Sequence, residues 1–215
     1  MDGYKVGIVI PAFNEAATIS NIVSAVSEYG IPIVVDDGST DNTGLYAKES
    51  GAFLVSHSKN LGYDSALNSG FKKAAELNVE YIISIDADGQ HNPSIIKEFI
   101  DSFSVDCDVV IGIRSRRQRL AEHFFAWYTN YFFGIKDPLC GMKAYKTTLY
   151  KAKGIFDSFG SVGTELAVFA ARNGYKIKQI KFDVQERDGK SRFGHVVSGN
   201  YKIIRAMFYF MTHAK

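Results

Sequence analysis

The feature that most restricts how this chain can fold is an alternation of short apolar runs with amphipathic segments. Residues 5–10 (KVGIVI), 31–35 (IPIVV), 52–56 (AFLVS), 81–85 (YIISI) and 108–113 (DVVIGI) read as strands, and Pro11 is expected to stop the first of them. Between them, 15–29 reads as a helix with Ile19, Ile22, Val23 and Val26 on one face, followed by helices over 43–50, 64–77 and 93–104. Strands that alternate with helices predict an α/β fold: a Rossmann-like, mostly parallel sheet with helices on both faces, in a single domain. Open sheets of this kind bind ligands beyond the carboxyl ends of their strands. The polar clusters fall there: PAFNE after the first strand, DDGSTD after the second, DADGQ after the fourth and RSRRQR after the fifth. One such loop is often merely solvated. Four at one edge can converge on a single ligand.

Composition removes several classes. With 215 residues, 46% of them hydrophobic, the chain has enough material for one core. A formal net charge of +2 argues against a nucleic-acid partner. Cys107 and Cys140 lack CxxC spacing, so neither a disulfide framework nor a zinc site is expected, and a reducing, cytoplasmic compartment is the default. No apolar run approaches the roughly 20 residues that span a bilayer, and no signal peptide is expected before the first strand.

The residue types at the carboxyl edge carry chemistry. Asp86 and Asp88 stand two apart at the end of an apolar strand, so both carboxylates face one way and repel unless a positive charge lies between them. With Glu15, Asp37, Arg114, Arg116 and Arg117 at the same edge, this suits a hard divalent cation, Mg²⁺ or Mn²⁺, that neutralises diphosphate oxygens. Calcium loops of the EF-hand type fail the pattern. From Asp86, the sixth and twelfth positions hold His91 and Lys97; from Asp37 they hold Asn42 and Lys48. GxGxxG after the first strand and GxxxxGK[ST] anywhere are missing, which disfavours nicotinamide and P-loop enzymes. An aspartyl phosphatase using DxD ranks below a metal-diphosphate site.

In order, VIPAFNE (9–15), VVDDGSTDNT (34–43), NLGYDSALNSG (60–70), SIDADGQHNP (84–93), VVIGIRSRR (109–117) and DPLCGMKAYK (137–146) resemble family 2 glycosyltransferases of the GT-A fold. The resemblance is to the branch that transfers sugars to polyprenyl phosphates, and it runs from residue 5 to about 195. It implies that Pro11, Phe13 and Glu15 line a nucleoside pocket and that Val35 and Asp37 contact base or ribose. It also implies that Asp86, Ala87, Asp88 and Gln90 form the metal and diphosphate site, with Asp88 and Gln90 as direct ligands. Arg114 would approach donor phosphates, and Arg187 and Arg192 in QERDGKSRFG (185–194) would meet the phosphates of donor and acceptor. The segment NLGYDSALNSG departs from the family at Tyr63 and Asp64, where a basic residue or glycine is common.

These placements set the expected reaction: metal-dependent, inverting transfer of mannose or glucose from GDP-mannose or UDP-glucose to a polyprenyl (dolichyl) phosphate. An anionic acceptor needs no strong base, whereas arginines must offset repulsion between phosphates. A hydroxyl acceptor, on a saccharide or protein, would need one. Glu165 in GSVGTEL is the candidate, but a helix-terminal acid favoured by the dipole is an equal reading. A non-catalytic sugar-nucleotide binding module is a further alternative. The segment 123–134 holds seven aromatic residues, a pattern more typical of core. The segment 201–215, with Lys202 and Arg205, reads as an amphipathic helix for a membrane face or a second subunit in a homodimer. The expected organisation is a catalytic domain over 1–195 with 196–215 as its C-terminal amphipathic helix, peripheral at the cytoplasmic membrane face.

Overall fold

The computed structural model describes residues 5–87, 94–103, 106–115, 120–183 and 196–212. The first half alternates as the pattern predicts: β1 (Val6–Ala12), α1 (Ile19–Val26), β2 (Ile31–Asp36), α2 (Thr43–Glu49), β3 (Phe53–Ser56), α3 (Tyr63–Glu76), β4 (Tyr81–Ser84), α4 (Ile95–Phe103) and β5 (Val109–Arg114). The second half is more helical, with α5 (Leu120–Phe133), β6 (Lys143–Lys146), α6 (Thr147–Lys153), α7 (Glu165–Arg172), β7 (Ile177–Phe182) and α8 (Val196–Thr212).

All seven strands form one sheet in the order β3-β2-β1-β4-β6-β5-β7. Among the described residues only β6 runs antiparallel, paired with β4 through Ser84↔Lys143 and with β5 through Ile111↔Lys143. The sheet is therefore mostly parallel, as expected, with one reversed strand whose start lies beside the end of β4. Alternation of side chains divides the core between the two faces. Ile8, Ile10, Val34 and Ile83 pack with α1 and α4 on one face, while Val9, Ile33 and Ile82 pack with α3, α5, α7 and α8 on the other. Gly70 lets α3 approach the sheet, because a Cβ there would stand 2.2 Å from Val9 Cγ1.

Two boundaries differ from the sequence reading for clear reasons. Pro11 does not stop β1. It ends pairing with β4, whose register closes at Val9↔Ser84, but pairing with β2 continues through Pro11↔Val35 and Ala12↔Asp36. A proline lacks one donor, and that loss is felt on one side of a strand only. Helix α1 begins at Ile19 rather than 15, because residues 15–18 are spent on a turn in which the Glu15 carbonyl accepts from the Thr18 and Ile19 amides, both at 3.0 Å.

Candidate active site

Two loops at the carboxyl edge are tied to each other. The Asn14 amide donates to Ser39 Oγ at 2.9 Å, the Glu15 amide to Thr43 Oγ1 at 2.8 Å, and the Thr40 amide to Asn14 Oδ1 at 2.8 Å. Asn14 adopts φ +54°, a backbone that asparagine tolerates better than most residues. Thr18 Oγ1 then donates to the Ala87 carbonyl at 2.8 Å, which joins the β1 loop to the end of β4. PAFNE, DDGSTD and the Asp86–Ala87 end of β4 are thus held as one rim.

Within that rim the expected residues divide. Pro11, Phe13 and Glu15 are partly exposed along it. Val35 is fully buried in β2, and Ala87 is buried, its carbonyl held by Thr18. Asp37 is turned inward. It accepts from His57 Nδ1 at 2.7 Å, from the Leu61 amide at 2.9 Å and from the Gly62 amide at 2.8 Å, and His57 Nε2 lies 2.8 Å from Ser69 Oγ. Its two oxygens fasten β2 to the start of α3. Asp88, Gln90, Arg187 and Arg192, as well as Arg116 and Arg117, lie outside the described residues.

Asp86 stands at the centre of a set that the motifs do not bring together on paper. Tyr63 Oη, from the first turn of α3, donates to its Oδ1 at 3.1 Å. Across from it a Cβ on Gly141 would fall 2.1 Å from Oδ2, so any side chain there would displace the carboxylate. Ser84 Oγ donates to the Gly141 carbonyl at 2.7 Å and fixes that passage. Lys143, buried at the start of β6, places its ammonium on the Gly163 carbonyl at 3.0 Å, and its charge acts on Asp86. Burial, then Asp86, raises the Tyr63 hydroxyl well above its usual range, so it stays protonated and able to donate. Burial, with a smaller push from the Arg114 charge, pulls the Lys143 ammonium down.

A second charged set closes the β5 side. Arg114 donates through Nε and Nη2 to the two oxygens of Asp137, each at 2.9 Å, and Nη2 also meets Glu122 Oε2 of α5 at 3.3 Å. Burial opposes charge on both partners. The Arg114 hydrogen bond and charge outweigh it at Asp137 and hold that carboxyl below its usual range. Burial, with Asp137 next, pushes the Cys140 thiol up to about 12, so it remains a thiol.

Glu165 heads α7 and reaches back to its own entry loop. Its oxygens accept from the Ser158 amide at 2.5 Å and from Ser158 Oγ at 2.9 Å, and Lys153 Nζ lies 2.7 Å away. That is the geometry of an acid that satisfies amides ahead of a helix. The loop between, 157–164, wraps around Asp157, whose Oδ1 accepts from the Phe159 and Gly160 amides. Asp64 Oδ1 holds the Gly163 amide at 2.7 Å beside Val162, whose φ of +57° is rare for a β-branched residue.

Asp86 is the one member of the expected metal set that lies within the described residues, and it offers the oxygen that a hard cation takes. Among those residues, no group of three acidic, histidine or cysteine side chains is placed to hold an ion by itself. Tyr63 stands out in the sequence only as a departure from the family pattern, and Gly141 and Lys143 are not singled out there. DPLCGMKAYK is a recognisable motif, yet a four-residue strand with two lysines carries little strand signal.

The sequence profile of Glycosyl transferase family 2 matches residues 7–162, most of the chain and every element of this rim. The chain belongs to glycosyltransferase family 2. An uncharacterised protein of Methanocaldococcus jannaschii is 31% identical over 84% of this chain and 88% of its own length. The polyprenol monophosphomannose synthase of Mycolicibacterium smegmatis is 25% identical over 84% of this chain and 77% of its own. Among solved structures, glucosyl-3-phosphoglycerate synthase of Mycobacterium tuberculosis, in complex with Mn²⁺, UDP and glucosyl-3-phosphoglycerate, superposes with a TM-score of 0.73 at 20% identity, covering 96% of this chain and 79% of its own. That likeness establishes the shared GT-A fold. The polar rim of this glycosyltransferase lies at the carboxyl edge of the sheet, where open sheets of this kind bind ligands.

Proposed function

We propose that this glycosyltransferase moves a hexose, mannose or glucose, from GDP-mannose or UDP-glucose to the phosphate of a polyprenyl phosphate, with Mg²⁺ or Mn²⁺ and with inversion. One observation carries the choice of acceptor: Glu165, the candidate base for a hydroxyl, is engaged by Ser158 and Lys153. A phosphate acceptor is already anionic and needs no base. The named mannose synthase relative supports the same reading.

In this reaction an acceptor phosphate oxygen bonds to the anomeric carbon as the bond from that carbon to the donor diphosphate breaks. The nucleoside diphosphate leaves with the electron pair, and no proton moves. A divalent ion held by Asp86, Asp88 and Gln90 would stabilise charge on the leaving diphosphate. Tyr63 and Gly141 orient Asp86 toward that role. Arg187 and Arg192 would offset the repulsion between donor and acceptor phosphates. Arg114 is held at the end of β5 by Asp137 and Glu122, which take up its charge.

The experiment is transfer from labelled GDP-mannose or UDP-glucose to a short polyprenyl phosphate with Mn²⁺, using the wild type and Asp88→Ala. Transfer with an inverted linkage by NMR, lost in the variant while the fold is kept, is the expected result. A retained anomeric configuration, or full activity of Asp88→Ala, would overturn it. Donor hydrolysis without transfer to the lipid would favour a hydroxyl acceptor. Nucleotide binding without turnover would leave a binding module.

A further inference from the structure

We propose that Lys143 governs how the active site is loaded: its buried ammonium acts on Asp86 so that a lone divalent cation is held weakly and the donor diphosphate is favoured. Lys143 opens β6, and the register Ser84↔Lys143 sets it beside the last residue of β4, two positions before Asp86. Gly141, two residues earlier on the same passage, runs against the Asp86 carboxylate itself. The ammonium is held at its far end by the Gly163 carbonyl at 3.0 Å. A Cβ on Gly163 would stand 3.6 Å from Tyr63 Cε1 and 3.7 Å from Lys143 Nζ. The hydroxyl that holds Asp86 and the charge that acts on it thus come from side chains that meet over one residue.

Packing alone does not call for a cation there. Lys143 is 2% exposed, yet an ammonium has three donors, and among the described residues one carbonyl takes one of them. Nor does Lys143 form a contact ion pair among those residues, in contrast to Arg114, whose charge Asp137 and Glu122 take up. A buried charge in such a setting lowers stability, and an apolar side chain of similar length would not. Against burial, the negative charges of Asp137 and Asp86 act to keep it charged. The attraction is mutual, so the ammonium offsets the Asp86 charge that an incoming cation meets.

The consequence follows from counting charge, and it rests on the metal and diphosphate site proposed above. Asp86 and Asp88 bring two carboxylates, and one ammonium leaves a single net negative charge between them. That is little with which to strip water from Mg²⁺ or Mn²⁺, and among the described residues no group of three acidic, histidine or cysteine side chains adds to it. A nucleoside diphosphate carries the missing negative charge and is attracted by the same ammonium. One buried cation therefore opposes the metal alone and assists the diphosphate. Lys143 is here a positioning residue, acting through its charge and not as a ligand.

The test measures the two ligands separately on folded protein. Lys143→Met removes the charge at similar length, and Lys143→Gln removes it while keeping a donor for Gly163. Mn²⁺ alone, followed by electron paramagnetic resonance of the free ion, is expected to bind both variants at least about tenfold more tightly than the wild type. UDP or GDP in EDTA, followed by calorimetry, is expected to bind both at least about tenfold more weakly. A structural lesion weakens both ligands, so joint weakening in folded variants overturns the proposal, as does no change in either. A wild type that binds neither UDP nor GDP in the presence of Mn²⁺ removes the metal-diphosphate reading and this proposal with it. Opposite shifts of the two ligands without sugar transfer to polyprenyl phosphate support the role of Lys143 and remove only the acceptor assignment.

Discussion

At the end of β5 the Arg114 guanidinium and the Asp137 carboxylate have left water together, and each relies on the other for its hydrogen bonds. Breaking such a pair from one side strands a buried charge. Asp137→Ala is expected to lower the unfolding free energy by about 3–5 kcal/mol, read from urea denaturation, with an unchanged midpoint as the contrary result. Glu165 gives the sharper functional test. Glu165→Gln keeps an acceptor for Ser158 but removes any base, so transfer rate is expected to stay within about tenfold of the wild type. A loss of about 10²–10⁴-fold would mark Glu165 as the base and a hydroxyl as the acceptor. The place of Asp86 was legible at this scale, because an apolar run of strand length ends directly before it. The inward turn of Asp37 was not, since its partners His57, Leu61 and Gly62 lie 20 to 25 residues away.

Helix α3 shows how one element positions several parts of the site. Tyr63 in its first turn holds Asp86, Asp64 holds Gly163, and Asn68 one turn later bridges the 156–157 backbone. Asn68 Nδ2 donates to the Asp157 carbonyl at 2.7 Å, and its Oδ1 accepts from the Phe156 and Asp157 amides, both at 3.1 Å. Asn68→Ala is expected to cost about 1–3 kcal/mol and to speed hydrogen exchange at those two amides; exchange no faster than in the wild type would count against the bridge. The first five strands and the helices between them were readable from apolar runs of ordinary length. Strands β6 and β7 were not, because KAYK and IKQIKF carry lysines and their pairing is with strands distant in sequence. Helix α5 was read as more typical of core, since its aromatic density hides which ring faces which way.

Across the whole molecule, the pH dependence of stability has an identifiable contributor. Burial, with the charge of Asp157 next, raises the Asp64 carboxyl from 3.8 to about 6. The folded state then holds this proton more tightly than the unfolded state. The contribution is complete below 3.8 and is lost as pH rises through about 6, so stability falls across that window. Asp64→Asn is expected to flatten this slope in thermal unfolding measured at several pH values; an unaltered slope would show that another group sets it.

The sequence by itself determined the α/β class, the glycosyltransferase family and the gathering of its polar loops at the carboxyl edge, because these follow from local periodicity and from motifs contiguous in the chain. The tertiary structure decided what surrounds Asp86. Tyr63, Gly141 and Lys143 meet there because the reversed strand β6 begins where β4 ends and α3 packs close through Gly70. It also decided which residues of α5 and α8 face outward: which side of an apolar helix is buried depends on what the rest of the chain packs against it.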